Sequence, residues 1–86
     1  MNKYKEIQVT MKKNGIEVPV TINSMEVTCL SKLRKGKKIC EIAPEVYRGT
    51  QTIYNTFNAL KKQVGASSLI ELNDRFSHVD FDKLLV

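Results

Sequence analysis

The chain has 86 residues, enough for one compact domain and too few for a second independent core. A composition of 42% apolar and 27% charged residues, with 2 Pro, 4 Gly and a net charge of +5, excludes collagen-like and disordered classes. No segment reaches the roughly 20 apolar residues that span a bilayer, and Met1-Asn2-Lys3-Tyr4-Lys5-Glu6 lacks the apolar stretch of a secretion signal, so a cytoplasmic protein with no membrane partner is expected.

The charge is concentrated in the middle of the chain. Residues 1–31 carry +1, residues 32–62 carry +6 and residues 63–86 carry −2. A central basic footprint suits either a solvated face or a polyanionic partner, and the architecture has to decide between them.

At the N-terminus, Asn14-Gly15 is a strong hairpin signal, because both central residues of a type I′ turn need positive φ. A two-residue loop pairs Lys13 with Ile16, Met11 with Val18, Val9 with Val20 and Ile7 with Ile22, leaving six apolar side chains on one face. Glu6, Gln8, Thr10, Glu17 and Thr21 fall on the other face. Pro19 cannot donate to a ladder, so its nitrogen should point to an unpaired edge. A lone hairpin is marginal in water, and its apolar face has to cover the rest of the domain or a second copy of the chain.

Asn23 with Glu26 forms a capping-box pattern, so a helix is expected from Ser24, with Val27, Cys29, Leu30 and Leu33 inward and Gly36 as its stop. After the turn Lys35-Gly36-Lys37-Lys38, a short helix presents Ile39, Ile42, Ala43 and Val46, and Pro44 should kink it or end it early. Gly49 caps a third helix from Thr50 to Val64, closed by Gly65, whose inner stripe is Ile53, Phe57, Leu60 and Val64. A fourth begins after Ser68, where Glu71 completes a second capping box and Leu69, Ile70 and Leu72 are apolar. Residues 76–86 are too apolar for a disordered tail, yet Phe76, Val79, Phe81, Leu84, Leu85 and Val86 show no period.

Two short helices, a glycine-containing turn and a longer helix with a polar outer face describe a helix-turn-helix, whose second helix enters the major groove. On that face Thr50, Gln51, Tyr54, Asn55 and Asn58 are the candidates for base edges. Lys37, Lys38, Arg48, Thr52, Lys61 and Lys62 are the candidates for phosphates.

Glu26, Leu30, Leu33, Gly36, Glu41-Ile42-Ala43, Val46, Thr52-Ile53, Asn58, Leu60, Gly65 and Glu71-Leu72 also resemble, without a gap from Ile22 to about Leu72, the LuxR/GerE family of bacterial DNA-binding domains. The resemblance implies a mainly α, four-helix domain with Thr50–Val64 as recognition helix and a fourth helix that serves dimerisation. The hairpin, here 4–22, and the tail, 76–86, lie outside it and flank a 23–75 bundle within one domain. Gly49, Tyr54, Thr56 and Leu69 stand where relatives usually have Ser, Lys, His and Arg, and Pro44 is also foreign to the pattern.

The expected function is therefore sequence-specific transcription regulation on double-stranded DNA, as a homodimer or a heterodimer with another regulator. The alternative is a non-enzymatic interaction module that pairs with a larger regulator or a polymerase subunit, through the hairpin face or edge, and binds DNA weakly. Cys29 and Cys40 are too few for a disulfide framework, and both are expected to be buried reduced thiols. With a single histidine, His78, far along the chain from both, no metal, cofactor or small-molecule ligand is expected, and no catalytic constellation suggests an enzyme. His78 itself reads as a surface residue without a partner.

Overall fold

The computed structural model describes residues 5–84. Its elements run β1 (Glu6–Lys13), β2 (Ile16–Asn23), α1 (Ser24–Arg34), α2 (Ile39–Glu45), α3 (Thr50–Val64), α4 (Leu69–Arg75) and α5 (Phe81–Leu84). The described residues are mostly helical, with an antiparallel hairpin ahead of five helices. Among the described residues no helix is long and apolar enough to cross a membrane. Tyr4, Leu85 and Val86, assigned to the hairpin and the tail from sequence, lie outside the described residues.

Asn14 and Gly15 take φ of 54° and 78°, as the two-residue turn demands, and the register follows from it, from Lys13 opposite Ile16 down to Ile7 opposite Ile22. Val9, Met11 and Ile22 are buried, Ile7 and Val20 border the core, and Val18 and Ile16 near the turn stay exposed. Most of the apolar face is thus covered within the chain, and Val18 with Ile16 is the part left open. Pro19 sits opposite Thr10, at a pair where the alternating ladder turns its nitrogen outward.

The capping box forms as the sequence implies. Glu26 N–H donates to Asn23 Oδ1 and Asn23 N–H to Glu26 Oε1, each at 2.8 Å. α1 then buries Val27, Cys29 and Leu30, with Ser31 beside them. α2 ends after seven residues, one past Pro44. α3 turns Ile53, Phe57, Leu60 and Val64 fully into the core and stops at Gly65, which adopts φ 68°. The second capping box is only half made. Ser68 Oγ accepts from Glu71 N–H at 3.1 Å, but the Glu71 carboxylate turns to Ser67 Oγ at 2.5 Å and Arg75 Nη2 at 3.0 Å.

The tail is held by tertiary contacts, which explains its lack of period. Phe76 and Phe81 are buried, with ring centroids 5.8 Å apart. The Arg34 guanidinium lies 4.4 Å over the Phe81 ring and donates to the carbonyls of Phe76 and Val79. Ser31 Oγ donates to Asp82 at 2.7 Å, and this bond, with Lys35 next, holds the Asp82 carboxyl below the usual range. His78 is not without a partner: its Nε2 lies 3.0 Å from Thr10 Oγ1 and 4.0 Å from Glu17.

The cysteines also differ from expectation. Burial, with Glu26 adding to it, pushes the Cys29 thiol up to about 11, while Cys40 is exposed because it sits off the Ile39, Ile42, Ala43 and Val46 face of α2. One thiol per chain should react rapidly with a disulfide reagent under native conditions, and Cys40→Ser should abolish that phase while leaving Cys29 to react only on unfolding. Phe81→Ala should destabilise the domain by about 3–5 kcal/mol in denaturant titration; a loss comparable to an exposed substitution would mean that α5 is not part of the core.

Candidate nucleic-acid interface

α3 divides into two faces because its apolar residues recur at helical spacing and everything between them is polar or small. With the stripe Ile53, Phe57, Leu60 and Val64 inward, Thr50, Gln51, Thr52, Asn55 and Lys62 are exposed, and Asn58 and Lys61 are half-buried. Tyr54, on the flank, is 51% exposed, so it neither withdraws into the core nor stands free of the helix. Every sequence-derived candidate of α3 keeps solvent access, on a wide arc that runs from Thr50 and Lys61 on one flank of the helix through Gln51, Asn55 and Lys62 to Thr52 on the other. No acid lies in its first turn, and two lysines close its last.

Gln51 and Asn55 are one turn apart and bonded to each other, Gln51 Nε2 donating to Asn55 Oδ1 at 3.0 Å. The bond leaves the Gln51 carbonyl oxygen as an acceptor and the Asn55 amino group as a donor on two exposed side chains. That is the complement of an adenine edge, which offers a donor and an acceptor in the major groove. Alongside, Thr52, Asn55, Thr56 and Ala59 line one wall of a cleft of about 380 Å³, with Asn23, Met25 and Glu26 of the α1 start opposite and Arg48 at its end. Glu26 faces this cleft but is committed to its cap.

The phosphate candidates are less uniform than their sequence suggests. Lys38 holds the N-cap position of α2 with its backbone N–H on Glu41 Oε1 at 2.8 Å, so Glu41 serves the helix start and the Lys38 side chain is exposed. Lys37 instead pairs with Glu45 Oε2 at 2.6 Å, and Lys32 pairs with Glu45 Oε1 at the same distance. These hydrogen bonds, that of Lys32 first, hold the Glu45 carboxyl down to about 2 and raise the Lys37 ammonium above its ordinary value. Arg48 donates to the Tyr47 carbonyl at 3.1 Å and lines the cleft.

Three features go beyond the sequence pattern, which marks Ile70 only as an apolar position of α4. Glu45 cancels part of the basic footprint by folding back across α1 and α2. Tyr47 is exposed in the turn before α3, at φ 57°. Ile70 is 85% exposed on α4, where Leu33, Leu69 and Asn73 complete a shallow groove of about 170 Å³. An apolar residue out of step with Leu72 on a short helix is the sequence signal for Ile70. Glu45 could have been found only by knowing that the ends of α1 and α2 meet.

Among the described residues no three His, Cys, Asp or Glu side chains come together as a metal site. No family model, curated protein or solved structure matches the chain.

The Glu45 bridge has a readable pH signature. A carboxyl held low in the folded state contributes stability that is complete above its ordinary value of 4.5 and lost as the pH falls towards about 2. Glu45→Gln should therefore melt below the unaltered protein at pH 7, with the gap closing between pH 4.5 and pH 2; a gap that stays constant over this range would show the bridge to be inert.

Proposed function

We propose that the protein is a sequence-specific DNA-binding transcription regulator that inserts α3 into the major groove. The observation that carries this reading is the outward face of α3, polar at its start and cationic at its end. It lies in a stretch, Val46 to Ile70, that contains no Asp or Glu and three cations, Arg48, Lys61 and Lys62. An acid-free run of this length favours the approach of a polyanion to α3, and Glu26, the acid that lines the neighbouring cleft, is held in the α1 cap. The preceding α2 and short turn match the order of a helix-turn-helix, in which the first helix crosses the backbone and the second reads bases.

Within this reading Gln51 and Asn55 read base edges, with Thr50, Tyr54 and Asn58 beside them. Lys38, Arg48, Thr52, Lys61 and Lys62 serve phosphates, and Lys37 contributes least because Glu45 holds it. Two half-sites would be read by a dimer formed across the α4 groove of Leu33, Leu69 and Ile70, with the same surface meeting itself about a two-fold axis. The resemblance of residues 22–72 to LuxR/GerE domains supports the same assignment. A second reading, a module that pairs with a larger regulator or polymerase subunit, draws on that exposed Ile70 surface instead of the hairpin face.

A duplex selected from a random-sequence library, measured by fluorescence anisotropy against a scrambled duplex, tests the assignment. Gln51→Ala and Asn55→Ala should each cost about 1–3 kcal/mol on the selected duplex and little on the scrambled one. Lys38→Ala and Lys62→Ala should weaken both alike and flatten the salt dependence, whereas Lys37→Ala should change neither much. Equal, weak binding of the unaltered protein to both duplexes would overturn the DNA reading and favour the interaction module.

A further inference from the structure

Helices α1, α2 and α3 all end on a residue in the left-handed region, but not on the same kind of residue. Gly36 follows α1 at φ 86° and Gly65 closes α3 at φ 68°, while Tyr47 takes the corresponding place after α2 at φ 57°. The closing bonds behind α1 and α2 are the same pair. Gly36 N–H donates to Leu33 and Lys37 N–H to Lys32; Tyr47 N–H donates to Pro44 and Arg48 N–H to Ala43, at 3.0 to 3.3 Å.

Glycine meets this position without a steric penalty, whereas the Cβ and ring of tyrosine meet it with one. The ring does not recover that cost by packing, because Tyr47 is 88% exposed. The chain therefore holds an aromatic side chain in solvent, at a strained position, two residues ahead of the Gly49 cap of α3. Arg48, donating to the Tyr47 carbonyl, is its neighbour, and no acid follows until Glu71.

We infer that Tyr47 is a DNA-backbone contact, its ring lying against a sugar and its hydroxyl donating to a phosphate at the rim of the groove that α3 enters. This inference rests on the DNA reading above and extends it to a residue that the α3 face does not contain. Tyrosine hydroxyls are among the common donors to phosphate, and such a contact carries no sequence preference. The charge along the chain suits this occupant: Arg48 follows Tyr47 directly, and Glu45, the acid two residues before it, is paired with Lys32 and Lys37.

The test pairs two readouts on the full chain, melting temperature and anisotropy on fluorescein-labelled selected and scrambled duplexes of about two helical turns. Tyr47→Gly relieves the backbone, and its melting temperature should rise by about 4 °C. Its affinity should fall about tenfold on both duplexes alike. Tyr47→Phe keeps the ring and the backbone, so it should melt as the unaltered protein does and lose about threefold on both. Unchanged affinity of Tyr47→Gly, while Gln51→Ala still weakens the selected duplex, would overturn the contact and leave the DNA reading standing. A lowered melting temperature of Tyr47→Gly would assign the ring to stability and overturn it too. If the unaltered protein binds neither duplex, the DNA reading falls and Tyr47 falls with it.

Discussion

The burial of one stripe of α3 sets the terms for everything around it. A chain this short has to cover a large share of its apolar surface to be stable at all, so each element contributes an apolar face to one common core. α3 supplies Ile53, Phe57, Leu60 and Val64, and the hairpin, α1, α2, α4 and the C-terminal segment close around them. The rotation of α3 about its axis is then fixed, and with it the set of side chains that face outward. The polar surface is a by-product of packing, and its precision is inherited from the core beneath it.

Electrostatics works in the opposite way, by cancelling charge where the elements meet and leaving it where they do not. Lys32 and Lys37 share Glu45, Lys35 lies near Asp82, and Arg75 is matched by Glu71. Arg34 is held by two carbonyls and an aromatic ring. These groups join α1 to α2, α1 to the C-terminal segment, and one turn of α4 to the next. The strongly basic middle of the chain is thereby trimmed to a smaller cationic set around α3 and the start of α2. Net charge along the sequence leaves open where that charge sits, and the ion pairs place it.

What could be read from sequence follows the range of the interactions involved. The hairpin register, the Asn23 and Glu26 cap and the stripe of α3 depend on neighbours within about one turn or on a two-residue loop, so local pattern determines them. The Phe76 to Leu84 segment has no local period because its order comes from Arg34 and Ser31, about forty to fifty residues earlier. The exposure of Cys40 turned on how much of a seven-residue helix is covered, which spacing alone leaves open. Of the candidate surface, the α3 residues were legible as a helical face. The Glu45 bridge and the left-handed Tyr47 were not, since one needs two helix ends brought together and the other a helix that stops one residue after a proline.

The hairpin has a further consequence for how the chain behaves among copies of itself. A sheet of two strands consists only of edges, and an open edge is a template on which another extended chain can add. Along β2, Pro19 offers no donor, and the Thr21 carbonyl is already occupied by Gln63 Nε2 of α3 at 3.0 Å. Along β1, the charged Glu6 and Lys12 flank a Thr10 whose hydroxyl is engaged by His78. Strand-by-strand stacking is therefore interrupted along β2, and along β1 it is opposed by the charges of Glu6 and Lys12, the means by which an open edge is kept from seeding cross-β stacking.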